Sequence, residues 1–106
     1  MQNKILLLYV PLPSYESAME MAQSLINNRL AACCNIIPKV TSVYSWNGKI
    51  ENSEESVLII KTLEIKLEEI TLFIQEKHTY DVPCILNLNQ CTVNSSYFDW
   101  MLSSIT

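Results

Sequence analysis

Lys4-Ile5-Leu6-Leu7-Leu8-Tyr9-Val10 is an unbroken apolar run, the pattern of a central strand covered on at least one face. Pro11 and Pro13 predict its end. Ser14 then offers an N-cap, with Glu16 in the first turn where negative charge suits the helix dipole. Ala18, Ala22, Leu25, Ile26 and Leu30 recur at helical spacing, and Asn27-Asn28 supplies the stop. The next segment, from Cys34 to Thr62, alternates about a turn at Asn47-Gly48. A type I′ turn needs positive φ at both central residues, and Asn-Gly is its strongest sequence signal. Gly48 is the only glycine in the chain. A two-residue turn there sets Trp46 opposite Lys49, Ser45 opposite Ile50 and Tyr44 opposite Glu51. Each arm would hold about a dozen residues, or roughly 40 Å at ~3.3 Å per residue. That is about twice a usual strand. Pro38 cannot donate to a ladder, so a bulge or an edge position is expected there. Beyond Thr62, the residues Leu63, Leu67, Ile70, Phe73 and Ile74 mark a second helix, acidic early and carrying Lys77 and His78 late. Cys84 to Asn89 reads as a fourth strand, with Cys84, Leu86 and Leu88 on one face. A short terminal helix carries Tyr97, Trp100 and Met101 on one stripe.

The order strand-helix-strand-strand-helix-strand predicts an α+β fold, a ferredoxin-like βαββαβ sandwich over residues 1–106 as one domain. Its additions are an extended hairpin and a short C-terminal helix. Both main helices lie on one side of such a sheet, so the other face is left bare. Hydrophobic residues make up 49% of the 106 residues, and an oligomer interface is the simplest use for that surplus. No apolar run approaches the ~18 residues of a membrane helix. A net charge of −4 without a Lys/Arg cluster argues against nucleic acid and against an anionic membrane surface. Four unevenly spaced cysteines form no evident disulfide framework. With no leader pattern before the first strand, a reduced cytoplasmic setting is expected.

Several stretches together resemble the CutA divalent-cation tolerance family. They are Leu30-Ala31-Ala32-Cys33, Ile37-Pro38, and Ser42 through Trp46-Asn47-Gly48-Lys49-Ile50. Glu55, the strand end Ile60-Lys61-Thr62, His78-x-Tyr80-x-x-Pro83 and Tyr97-x-x-Trp100 follow in order. The resemblance implies a homotrimer whose long hairpins pair across subunits. It also implies a link to copper or another divalent cation, and an architecture similar to the PII signalling proteins. The chain departs from the family pattern at Thr79 and Asp81, where proline and glutamate are usual. It departs again at Cys84, where an acidic residue is common. Val10 stands where some members carry a cysteine at the end of the first strand.

The candidate residues each carry two readings. Cys33 and Cys34 are adjacent, so in a strand they point to opposite faces and are not expected to grip one metal together from one subunit. Cys33 is a candidate metal ligand or, like Cys34, a buried structural thiol. His78 is a second candidate ligand or a cap for the last carbonyls of its helix. Glu55, Lys61, Tyr80 and Asp81 are candidates to line a ligand cleft between subunits; the alternative for Glu55 and Lys61 is an interface salt bridge. Tyr44 and Trp46 share a face near the turn and read as packing anchors for a neighbouring subunit rather than a base-stacking platform. No nucleophile stands beside a base and no glycine-rich phosphate loop occurs, so a non-enzymatic role is expected. Two functions follow: a copper-binding trimer of the metal-ion response, or a PII-like signalling module that takes a small ligand or a protein partner between its subunits.

Overall fold

The computed structural model describes residues 3–106, and of residues 89 and 90 the backbone alone; Met1 and Gln2 of the expected 1–106 unit lie outside the described residues. The elements follow in the order β1 (Lys4–Leu12), α1 (Tyr15–Asn27), β2 (Cys33–Trp46), β3 (Lys49–Thr62), a single 3-10 turn (Glu64–Lys66), α2 (Leu67–Lys77), β4 (Leu86–Thr92) and α3 (Ser95–Ile105). The four strands form one antiparallel sheet in the order β2-β3-β1-β4. This is the ferredoxin-like sandwich that the element order predicts.

The apolar run of β1 supplies the core because it lies between β3 and β4. Leu6, Leu8, Val10 and Leu12 point to one face and pack with Ala18, Met21, Ala22 and Leu25 of α1 and with Ile70 and Ile74 of α2. Leu58 and Ile60 of β3 complete that cluster. Ser14 caps α1 through a reciprocal pair with Ser17, the Ser14 hydroxyl accepting from the Ser17 N–H at 3.1 Å. The opposite face is not wholly bare. Met101 and Ile105 of α3 close over Ile5, Ala32 and Leu63 at one end of it, while Trp100 of the same helix stays exposed.

The hairpin has the register read from its turn: Trp46 faces Lys49, Ser45 faces Ile50 and Tyr44 faces Glu51. Asn47 and Gly48 take φ of 53° and 77°, the left-handed pair that a type I′ turn requires. Pro38 lies both on the edge strand and in a bulge. The register shifts between Ile37 and Val40, and Lys39 takes up the extra residue at φ 58°. Each arm runs 14 residues. The molecule is consequently 48 Å long and 24 Å across, with the end of the hairpin projecting beyond the helices.

Three boundaries differ from those the pattern predicts. β1 continues through Pro11 to Leu12, with Pro11 opposite Val57. The Pro11 carbonyl accepts from a side chain, His78 Nε2. In a strand the amide nitrogen and the carbonyl of one residue point the same way, so the N–H that proline lacks would also face that side, beyond the last β4 pair, and no ladder bond is lost. α2 starts at Leu67, not directly after Thr62, because Thr62 stays in the ladder opposite Leu6. Its buried hydroxyl donates to the Leu30 carbonyl at 2.7 Å. β4 starts at Leu86 and reaches Thr92, so Cys84 lies in the preceding loop. Pairing with Lys4 and Ile5 of β1 holds the polar end of β4 in the sheet although its alternation has ended.

Candidate functional site

Strand alternation places Tyr44, Trp46, Glu51 and Glu55 on the face away from α1 and α2, toward the hairpin end. The loop after α2 folds against them. His78 is the C-cap residue of α2 and is buried. The Tyr80 N–H donates to His78 Nδ1 at 3.2 Å, which leaves the proton on Nε2 to donate to the Pro11 carbonyl at 2.8 Å. Both ring nitrogens are therefore committed within the chain. The imidazole ties the loop to β1 where β4 stops, and its ring lies 4.6 Å from that of Tyr80. Tyr80 in turn donates from its hydroxyl to Glu55 Oε2 at 2.6 Å. Tyr44, Trp46, Tyr80, Asp81 and Val82 line a shallow hollow of about 370 Å³ beside this pair.

Burial, the hydrogen bond to Glu55, the charge of that carboxylate and the nearby Tyr44 together hold the Tyr80 phenol above the usual tyrosine range. Unfolded tyrosine ionises near pH ~10. A group whose pKa is raised on folding contributes stability that is fully present below pH ~10 and is lost as the pH climbs through the folded value. The melting temperature of the wild type is therefore expected to fall more steeply than that of Tyr80→Phe between about pH 9.5 and 11. Thermal unfolding of both proteins across that range checks it, and parallel curves would remove the Tyr80 hydroxyl from the account.

The remaining candidates lie at the other end of the sheet. Glu55 and Lys61 share β3 and one face but stand six residues apart, ~20 Å along the strand, so no ion pair joins them within one chain. Lys61 instead extends over the Tyr97 ring of α3, with Nζ 5.5 Å from the centroid. Cys33 is directly opposite Lys61 in the ladder, and the Tyr97 hydroxyl interacts with both of them. Cys34 points to the helical side and packs against the main core. Burial first, and then the charge of Cys33, push the Cys34 thiol up to about 12, which marks it as structural.

One chain does not provide a complete metal site. Cys33 and His78 lie at different levels along β1, Leu7 near its middle being aligned with Lys61 and Cys33 while His78 meets Pro11; the intervening strand is ~13 Å long. Lys61, opposite Cys33 in the ladder, brings a positive charge and no metal ligand to that part of the sheet. Among the described residues no three His, Cys, Asp or Glu side chains come close enough to hold an ion. What sequence reasoning missed here was the Pro11 carbonyl, the role of Tyr97 and the lining by Val82. A backbone acceptor leaves no residue-type signal, whereas the spacing Tyr97-x-x-Trp100 could have drawn attention to α3.

A family model described as CutA1 divalent ion tolerance protein matches residues 6–104. The chloroplastic protein CutA of Arabidopsis thaliana is 37% identical over 99 residues, covering 93% of this chain and 54% of the plant protein. The divalent-cation tolerance protein CutA of Pyrococcus horikoshii is 37% identical over 98 residues, covering 92% of this chain and 95% of its own. Thus the chain spans about half the length of the plant relative and nearly all of the archaeal one. The crystal structure of the divalent ion tolerance protein CutA1 from Ehrlichia chaffeensis superposes with a TM-score of 0.93 at 35% identity, over 100% of this chain and 98% of that one.

Proposed function

Because this chain belongs to the CutA1 divalent ion tolerance family, we propose that it serves metal-ion tolerance as a homotrimer, in a reducing compartment such as the cytoplasm. The observation that carries the reading is the hairpin end, where apolar side chains on both faces and the free outer edge of the 14-residue strand β2 project beyond the body. The relatives are named for tolerance of divalent cations and not for a reaction, which supports a role other than catalysis. Four free thiols suit a reducing setting.

The metal we propose is copper, held weakly and only between chains. The loop after α2 offers Asp81 and the exposed Cys84, and a soft sulfur donor favours copper over harder divalent ions. Two donors make an incomplete shell, so ligands must come from a neighbouring copy. Calorimetric titration with copper at pH 7.5 is expected to show modest uptake by the wild type. Trp46→Asp, designed to separate the subunits, is expected to lose at least about tenfold in affinity, since its second set of donors is gone. Equal uptake by both proteins would overturn a site shared between copies.

The hollow beside Glu55 and Tyr80 favours a second reading, a PII-like module taking a small polar ligand. Tyr44, Trp46, Tyr80 and Asp81 give it aromatic walls and a carboxylate, and a neighbouring copy would bring Lys61. No copper uptake by either protein, together with a thermal shift from small acids or nucleotides, would select this reading.

A further inference from the structure

We propose that the outward face of α2 is a docking surface for a basic amphipathic helix of a partner protein. Helical spacing buries Ile70 and Ile74 in the core, with Leu67 and Phe73 half-buried beside them. The opposite side of α2 carries Leu72, and Ile65 of the 3-10 turn stands seven residues before it. These two are 59% and 77% exposed, although the solvent side of a surface helix is ordinarily polar. Two helical turns, roughly 11 Å, separate them. A hollow of about 510 Å³ runs between them, lined also by Leu67, Glu68 and Thr71. It is large enough to take a bulky apolar side chain from a partner.

Carboxylates flank this apolar stripe on both sides. At about 3.6 residues per turn, Glu68 falls on one side of Leu72, and Glu69 and Glu76 fall on the other. All three are exposed. Glu68 and Glu69 lie in the first turn, where the helix dipole favours negative charge. Glu76 lies in the last turn, where the dipole opposes it, so helix stability does not account for its charge. Lys77 is turned to another flank, its Nζ 5.7 Å from the centre of the Phe73 ring. An apolar stripe between acidic rows is complementary to a helix with large apolar residues at i, i+3, i+4 and i+7 and lysine or arginine beside them. A second copy of this chain is a poor occupant. It would bring the same carboxylates face to face, in a chain of net charge −4. An anionic membrane is repelled for the same reason. The subunit contacts proposed above use the hairpin end, which projects beyond the helices, so assembly leaves this face of α2 open.

The probe is a synthetic leucine-lysine peptide of about 18 residues, long enough to form a helix, with its leucines at that spacing. It is titrated calorimetrically into the assembled whole chain at about 50 mM salt. Ile65→Ser/Leu72→Ser is expected to weaken binding about tenfold or more. Glu68→Gln/Glu69→Gln/Glu76→Gln should weaken it about fivefold, a difference that closes as salt is raised. Glu16→Gln/Glu20→Gln, which removes two exposed carboxylates from α1, should change it less than about twofold. Every substituted side chain is exposed, and circular dichroism checks that the variants fold. In the wild type, shifts of methyl resonances on adding peptide should centre on Ile65 and Leu72, a reading that needs no variant. Shifts centred elsewhere, or no binding at all, would overturn the proposal. So would full binding by Ile65→Ser/Leu72→Ser, or an equal loss in the α1 variant, which would mean general attraction of a basic peptide to an acidic protein. A wild-type mass above the trimer that falls in Ile65→Ser/Leu72→Ser would give the face to self-association instead.

Discussion

Trp46→Asp is expected to sediment as a 12.2 kDa monomer at micromolar concentration, while the wild type sediments at about three times that mass. Alternation puts Tyr44 and Trp46 on one face of the hairpin end and Val43 and Ile50 on the other. All four are open in the single chain, at 43% and 55% exposure on the first face and 69% and 83% on the second. An isolated two-stranded projection of this length has no layer of its own to pack against and is marginal alone. A second and third copy would supply that layer, and the free edge of β2 would gain hydrogen-bond partners. An aspartate at position 46 would have to be buried unpaired in such an interface, at a cost of several kcal/mol. In the separate chain it stays in water and costs little, so circular dichroism should report an intact fold. Sedimentation equilibrium decides the matter: a wild type at 12.2 kDa, or a variant as heavy as the wild type, would sink the assignment of this surface to an interface.

How much of this was legible in the sequence depends on what each feature is made of. The hairpin register was readable because Asn47-Gly48 fixes a two-residue turn, and every later pair follows from it. Pro38 announced the bulge because an imino acid cannot sit in a regular ladder. Pro11 misled for the same reason: its neighbour on the open side is the His78 ring, 67 residues away, and no local pattern reports it. Thr62 misled because a buried threonine bond to Leu30 holds it in the sheet.

The candidate site divides along the same line. His78 at the end of α2 and Tyr80 near Glu55 could be placed from helix length and strand spacing. The use of both imidazole nitrogens inside the chain could not, since one partner is a backbone N–H and the other a carbonyl. Through those two contacts the only histidine clamps the α2 loop to β1. The sequence reading pairs Lys61 with Glu55 between subunits, and within one chain the two stay apart for a simple reason. Residues on one strand and one face cannot fold back on each other, and Tyr97 of α3 was nearer.

Leu8→Ala is expected to cost about 3 kcal/mol, within the range of 2–5 found for large-to-small changes in a closed core. Leu8 is 0% exposed at the middle of β1, opposite Ile60 of β3 on one side and Asn87 of β4 on the other. Losing the isobutyl group removes about 2 kcal/mol of burial. The cavity adds to this because strands on both sides prevent β1 from collapsing into the space. At roughly 4–8 °C per kcal/mol for a chain of this size, the melting temperature should fall by more than about 10 °C. Leu72→Ala is the paired control. Leu72 sits on the solvent side of α2 at 59% exposure, and its loss should change stability by no more than about 0.5 kcal/mol. Thermal unfolding of the two variants at equal protein concentration removes the effect of mass action on any oligomer. Similar losses in both would mean that the layer between the sheet and helices α1 and α2 is not the stabilising centre of this fold.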